Sequence, residues 1–389
     1  MTSLADVFPR HSGGYWGRDP GSGEVDALAI RNGDVGTTGK IRWSDLPTRG
    51  YTQREFEKAR IRAGDIVLTS SGNCGNAAYI CEEPAAPTVA TNFVRVLRVD
   101  TATTDARYAF HFLRSQHFSS GILPHVRGAT IKNLSVEAAF KEIHIPLPPL
   151  PEQRRIAAIL DRADAIRSKR RRALDGYEEV PEAVFREMFA DELPAGTVGE
   201  FAENIRTGPF GSQLLHSEFV DKGIAVLGLD NVVGNEFRWA ERRYITPAKY
   251  QQLKRYTVSP GDVLISIMGT TGRCVVVPDD IPTAINTKHI CAISVDRARL
   301  DPIFLRAAFL WHPACRAHLA RQTKGSIMDG LNMGIIKSMP IPAPVLSRQR
   351  EFAERVAAVT RVRFAVRTAS HLDNELFASL QSRAFRGEL

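Results

Sequence analysis

Apolar residues follow two kinds of pattern along this chain, and each kind occurs twice. Gly64-Asp65 leads into Ile66-Val67-Leu68, and Gly261-Asp262 leads into Val263-Leu264-Ile265. A turn dipeptide followed by a short aliphatic, β-branched run predicts a turn entering a strand. A glycine-rich turn and a second strand-like run come next in both places, Ala77–Cys81 and Cys274–Pro278. The segments Asp105–Phe118 and Asp301–Ala320 instead space their apolar residues every three or four positions, as an amphipathic helix does.

A longer periodicity opens after proline-rich stretches. Ile145-Pro146-Leu147-Pro148 precedes Gln153, and Ile341-Pro342-Ala343-Pro344 precedes Gln349. Proline halts a strand and is tolerated in the first turn of a helix, so each stretch predicts a strand-to-helix boundary. From Ile156 a 3.5-residue repeat takes in Ile156, Ile159, Ala163, Ile166, Arg170, Ala173, Tyr177, Val180 and Val184. The second repeat takes in Phe352, Arg355, Val359, Val362, Val366, Ala369, Asp373, Leu376 and Leu380. Two mainly apolar seams of this period predict helices packed on each other. A helix from about Pro151 to Phe189 would be a strut of about 55 Å. The basic run Lys169–Arg172 on it is expected to be a solvated face.

These pairs belong to one internal repeat with an offset of 196 or 197 residues. Trp43 matches Trp239, Ala63 matches Pro260, Arg127 matches Lys324, Lys141 matches Lys337, and Gln153 matches Gln349. Such a repeat predicts two α/β domains, each closed by a long helix. The expected domains are 1–146 and 191–340, with helical regions at 147–190 and 341–389. The fold class is α+β: two repeated α/β domains separated by a pair of long helices packed as an antiparallel coiled coil.

The 389 residues carry a formal net charge of +8. Residues 1–149 and 191–340 each contain 17 basic and 15 acidic residues, so any phosphate-binding surface must be assembled by folding. The N-terminus has no apolar signal-peptide core and no stretch has the length and apolarity of a membrane span, which points to the cytoplasm. Five cysteines without a C-x-x-C pair point to buried free thiols and no metal site.

Catalytic motifs do not emerge. Gly33–Ile41 imitates a phosphate loop, but Asp34 and Ile41 stand where glycine and a hydroxyl residue are needed, so it reads as a turn. Leu147–Leu150 has the prolines of an amino-methyltransferase loop without its amide or aromatic ring. Pro278–Asp280 and Asn286–Lys288 lack the clustered carboxylates of a metal-dependent nuclease. No paired histidines and no G-x-S-x-G elbow occur.

Several stretches carry a family resemblance. Pro146–Ile166 resembles the central conserved region of the specificity subunits of type I restriction–modification systems, and Ser379–Leu389 resembles their C-terminal ending. Thr207–Leu214 (TGPFGSQL) with Gly261–Gly272 resembles one common type of target-recognition domain, and Gly14–Val35 another. The first half shows no counterpart of GPFGSQL. The resemblance implies a non-catalytic chain in which each domain binds one half of a bipartite double-stranded DNA target. It implies methyltransferase subunits docked on the helices, and a restriction/translocase subunit as a further partner. S-adenosylmethionine, ATP and magnesium would belong to those partners, with no cofactor in this chain.

The gap in the target would follow from the helical struts, because half-site spacing is a geometric property of the protein. Basic residues beside glycine in loops after strands are the candidate DNA contacts: Arg127, Lys132, Arg273, Lys288 and Lys324, with Ser212 and Gln213 of the GPFGSQL stretch as base readers. If Arg127 and Lys324 read bases, alanine at either weakens binding by about 1–3 kcal/mol. Ile156, Ile159, Ile166, Phe352, Val359 and Val362 are the candidate helix-pair and partner interface. The competing readings are a methylation-only or related phage-defence complex, a nucleotide-acting enzyme, and a helical scaffold. ATP or methyl-donor binding by the isolated chain would favour the enzyme, and absence of salt-sensitive DNA binding the scaffold.

Overall fold

The computed structural model describes residues 1–239, 242–323 and 330–389, which divide into two compact units. One comprises Met1–Arg172 with Arg367–Leu389, the other Ala173–Val366. In the first, strand Ile66–Thr69 lies between Val94–Arg98 and Ala77–Tyr79, with Arg10–Gly13 at the far edge, all antiparallel. Successive side chains of a strand face opposite ways. Ile66 and Leu68 therefore enter a core with Tyr108 and Phe112 of the helical side, while Val67 enters a second core with Ile30 and Ala90. That second core is closed by a smaller sheet of Thr48–Tyr51, Val25–Ile30 and Thr88–Ala90, the last two strands parallel.

The second unit repeats this plan with one strand more in the smaller sheet. Val263–Ser266 lies between Ile290–Val295 and Cys274–Val276, with Ala202–Thr207 at the edge. The smaller sheet runs Arg243–Ile245, Ile224–Leu227, Ala284–Asn286, with Thr257–Val258 added. Val263 and Ile265 face Phe304 and Phe309, whereas Leu264 faces Leu227 and Ala292. The Gly-Asp turns serve the same end in both units. Gly64 and Gly261 have φ near +88° and +80°, and each following carboxylate accepts a turn N–H, from Arg62 at 2.9 Å and from Ser259 at 2.8 Å. The arginine that neutralises the buried carboxylate differs, however. Asp65 pairs with Arg98 at 2.7 Å, and Asp262 pairs with Arg206 of the edge strand.

Each segment read as one amphipathic helix is broken in two, Ala106–Leu113 then Gln116–Gly121, and Pro302–Trp311 then Pro313–Thr323. Asp105 and Asp301 cap the first helix of each pair, accepting backbone N–H groups two and three residues on. The long helices are Leu150–Phe189 and Leu346–Ala384. Where they share a unit they run antiparallel. In the first unit Arg155 reaches the carbonyl of Leu389 at 2.6 Å, and Arg170 reaches Asp373 at 2.8 Å. In the second, Phe189 meets Phe352 with ring centroids 5.8 Å apart. Arg170 and Asp373, charged members of the two repeats read in sequence, thus neutralise each other.

The seam differs in register from the heptads read in sequence. The covered stripe runs Gln153, Ile156, Leu160, Ala163, Arg167, Arg170, Leu174, Tyr177, Pro181, Val184 and Met188. Adding 196 to each number gives the covered stripe of the second helix, Gln349 to Ala384. Ile156 and Phe352 are buried, and Val359 half-buried, all on this stripe. Ile159, Ile166 and Val362 fall one residue off it. Leu160 takes the core position beside Ile159 and is fully buried, leaving Ile166 at 48% and Val362 at 43% exposure. Arg167 can occupy the stripe because its guanidinium lies 4.2 Å from the centroid of Phe377. Of the Lys169–Arg172 run, Arg170 turns inward to Asp373 and the other three are exposed.

The thiols also divide. Cys274, Cys291 and Cys315 are buried, and burial pushes each up to about 12; Cys74 is half-buried and Cys81 exposed. Among the described residues no helix is long and apolar enough to cross a membrane.

Candidate nucleic-acid interface

Parallel and antiparallel pairing together bring several strand ends to one edge of each unit. In the first unit, the loops after Arg10–Gly13, Val25–Ile30, Ile66–Thr69 and Thr88–Ala90 are stitched to one another. Tyr15 N donates to Ala90 O at 3.1 Å, Thr91 N to Ile30 O at 3.0 Å, and Ser70 N to Phe93 O at 2.9 Å. Asn32 Nδ2 donates to Ser71 O at 3.2 Å. The second unit uses the same bonds at equivalent places, Thr287 N to Leu227 O and Ile267 N to His289 O, both at 2.9 Å. Loops held this way by backbone bonds can present side chains without spending their own polar groups on folding.

Arg127 and Lys132 stand on a short hairpin in which Val126–Arg127 pairs with Asn133–Leu134. Gly128, between them, has φ +111°, and a Cβ there would lie 2.1 Å from Ile131 O, so the turn requires glycine. The hairpin is tied into the loop cluster: Gly72 N donates to Lys132 O at 2.7 Å, and Ser71 Oγ donates to Asn133 Oδ1 at 2.7 Å. Both basic side chains are exposed. The matching segment of the second unit contains Lys324, which lies outside the described residues. The bond that follows it is present, Leu331 N to Ile267 O at 2.9 Å, equivalent to Leu134 N to Ser70 O at 2.8 Å.

In the second unit, Ser212 and Gln213 share a single exposed turn, Gly211–Gln213. Gln213 Oε1 accepts from Tyr256 Oη at 2.8 Å, which leaves its amide nitrogen for another acceptor. Lys288 follows strand Ala284–Asn286, and Arg273 is exposed on the separate loop between Ser266 and Cys274. A cleft of about 680 Å³ joins the Pro209–Leu214 turn to Lys288, His289 and the ion pair of Arg243 with Asp230. Arg273, Ser212 and Gln213 do not line it. Burial, and then the Lys288 charge, lower the pKa of His289, so its ring is neutral at neutral pH and both donates and accepts. The cleft therefore offers cations, a carboxylate and a neutral imidazole within one concave surface. Among the described residues no group of three or more His, Cys, Asp and Glu could hold a metal ion.

Sequence reasoning passed over the Arg243–Asp230 pair, and it also passed over a second feature. The first half does have a positional counterpart of GPFG: Gly14-Tyr15-Trp16-Gly17, after edge strand Arg10–Gly13, stands where Gly208-Pro209-Phe210-Gly211 stands after edge strand Ala202–Thr207. The offset is 194, so alignment at 196 hides it. The repeated Gly-x-aromatic-Gly pattern was the signal that could have found it.

A family model for the type I restriction modification DNA specificity domain matches residues 35–174. The chain is 25% identical over 364 residues to the type I restriction enzyme EcoBI specificity subunit of Escherichia coli, covering 84% of this chain and 73% of that one. It is 22% identical over 266 residues to the MjaVIII specificity subunit of Methanocaldococcus jannaschii, covering 64% and 60%. Two solved structures share the fold. One is a chain from a study of complex assembly and conformational transition of the type I R-M system, with TM-score 0.59, 19% identity, and coverage of 100% of this chain and 97% of that one. The other is the type I restriction–modification S subunit from M. genitalium, with TM-score 0.56, 15% identity, and coverage of 98% and 95%.

Proposed function

We infer that this chain, which belongs to the family of type I restriction–modification DNA specificity subunits, is the sequence-recognition subunit of such a system. Each unit reads one half of a bipartite duplex target. The observation that carries this reading is the duplicated loop cluster: two edges stitched by equivalent backbone bonds that carry different side chains. A shared frame with unlike contacts suits two different half-sites. Phosphate contacts would position each unit, and side chains from the cluster would read base edges. Arg127 and Lys132 serve the first half-site. Ser212, Gln213, Arg273, Lys288 and Lys324 serve the second.

Catalysis lies elsewhere in this reading. Methyltransferase subunits dock on the long helices, and they and a translocating nuclease subunit hold the S-adenosylmethionine, ATP and magnesium. Exposed apolar residues on the helices, Ile166, Val362, Phe364, Leu372 and Leu376, support a docking role, since such side chains gain by burial against a partner.

The test is sequence selection from a random duplex pool, with the chain co-expressed with its methyltransferase subunit. Two short motifs at a fixed separation are expected. A single short motif would mean that one unit has lost its reading role. No enrichment at low or moderate salt would overturn the proposal.

A further inference from the structure

The two Gly-x-aromatic-Gly turns are built alike and expose the same kind of side chain. Gly14 lies so close to the end of strand Thr88–Ala90 that a Cβ would stand 1.8 Å from Ala90 O and 2.6 Å from Thr91 O. Gly208 meets the equivalent strand end in the same way, at 2.1 Å from Asn286 O and 2.6 Å from Thr287 O. The closing glycines, Gly17 and Gly211, have φ +76° and +57°, in the left-handed region that favours glycine. Between these fixed points the aromatic residue is turned outward: Trp16 is 50% exposed and Phe210 47%.

Neither ring completes a core. Trp16 stands edge-on to Phe93, itself 36% exposed, at 6.1 Å between centroids, and the Arg49 guanidinium lies 5.8 Å from its ring. Phe210 sits in the turn whose neighbours Pro209 and Gly211 line the cleft with Lys288 and Arg243. A large exposed ring braced by two glycines, at the same place in two units of unlike sequence, is a surface prepared for a partner. Arg49 beside Trp16, which also pairs with Asp19 at 3.3 Å, and Lys288 in the cleft bordered by the Phe210 turn suit a polyanionic partner, with each ring as its apolar contact.

We propose that Trp16 and Phe210 are equivalent specificity-determining residues, each packing its ring on the bases of one half-site of duplex DNA. The inference rests on the DNA-recognition reading and adds the residues that carry an apolar part of it. Aromatic and other apolar side chains contact thymine methyl groups or wedge against base steps, so they discriminate by shape and stacking, not by hydrogen bonds. Lysine and arginine at the same edge hold the backbone and set the register.

The experiment compares Trp16→Ala, Phe210→Ala and the aromatic-retaining Trp16→Tyr and Phe210→Tyr, each co-expressed with the methyltransferase subunit. The readouts are duplex selection and the affinity for the duplex that the wild-type complex selects. Trp16→Ala is expected to flatten base preference at one or two adjacent positions of one half-motif and lower affinity roughly tenfold. Phe210→Ala is expected to do the same in the other half-motif only. The tyrosine variants are expected to keep the preference, and thermal melting of each variant shows whether the fold is intact. Unchanged motifs and affinities in both alanine variants would overturn the proposal. So would loss of methyltransferase association with base preference retained, which would assign the rings to the protein partner. If an alanine variant melts early, loss of preference in the tyrosine variant of the same site with an intact fold would also overturn it. Failure of the wild-type complex to enrich any motif would instead sink the recognition reading itself.

Discussion

Gln153 and Gln349 show how single side chains join each long helix to its unit. Gln153 accepts from Asp105 N at 2.9 Å and donates to the carbonyls of Thr103 at 2.9 Å and Pro148 at 2.8 Å. Gln349 makes the same three bonds, with Asp301 N at 2.8 Å, Arg299 O at 3.1 Å and Pro344 O at 2.7 Å. Only an amide supplies an acceptor and two donors in that geometry. Both side chains are buried, so truncation strands polar groups away from water. Gln153→Ala and Gln349→Ala are each expected to cost about 1–3 kcal/mol in denaturant unfolding. Glutamate should not rescue either site, because a carboxylate cannot donate to the two carbonyls. The proline-rich approach is explained by the same contact: it brings a carbonyl to the amide one turn before the helix is established. Asp161, two turns along, gives a pH signature. Burial raises its pKa, but His111 Nε2 at 2.9 Å and Arg107 at 2.7 Å outweigh burial and hold it below the usual carboxylate value. A folded-state value below the unfolded one stabilises at neutral pH, and that contribution fades as pH falls through and below the carboxylate range near pH 4. Thermal melts of the wild type and Asp161→Asn should therefore differ most near pH 7 and converge as the pH falls below the usual carboxylate range.

Along the helices, the period was legible in sequence and the phase was not. Ile156, Ala163, Arg170, Tyr177 and Val184 fall on the covered stripe in both the heptad read from sequence and the structure. The alternate positions could not be chosen by apolarity, since Ile159 stands beside Leu160 and Leu376 beside Phe377. Polarity misled where arginine occupies the stripe, as Arg167 does over Phe377 and Arg363 does in its ion pair with Glu236 at 2.5 Å. Long aliphatic stems let arginine line a seam while its charge finds a partner. Taking Gln153 and Gln349 as the first stripe positions would have fixed the phase, because the stripe repeats at the same 196-residue offset. Leu160→Ala is expected to cost about 2–5 kcal/mol, as a fully buried leucine does. Ile166→Ala, on a residue 48% exposed, should change stability by no more than about 0.5 kcal/mol. Urea unfolding of the two variants separates the registers, since the heptad read from sequence requires the Ile166 variant to be strongly destabilised. The strands were easier. A Gly-Asp turn before an aliphatic run marks the buried central strand of each unit, and its alternation between two cores follows from burial on both faces.

At the scale of the whole chain, the repeat exposed the architecture and concealed the contacts. Equal charge counts in the two halves signal a common frame, but a frame is held by backbone bonds, which tolerate different side chains at the same place. In the proposed reading, recognition draws on positions where the two halves differ, among them the turns at Gly14 and Gly208, where the offset slips to 194. Near-neutral halves also mean that DNA affinity cannot rest on a general positive field. It must come from a few cations set on the loop edges, and counting them is an experiment in salt. The affinity of a complex that neutralises Z phosphates falls with salt, with a log–log slope of about −0.9Z. Arg127 and Lys132 share one hairpin but differ in chemistry, guanidinium against ammonium. Arginine can grip a guanine edge through two parallel bonds, whereas a lysine at a hairpin flank serves best as a point charge on phosphate. Lys132→Ala is accordingly expected to weaken binding alike for all duplexes and to make the slope shallower by about 1. Arg127→Ala is expected to weaken binding by about 1–3 kcal/mol for the selected duplex and to relax preference at one position of its half-motif. Titrations of both variants on selected and scrambled duplexes, at several salt concentrations, decide the assignment. Equal losses on both duplexes for Arg127→Ala would make it a phosphate contact and leave base reading in the first unit to its other loops.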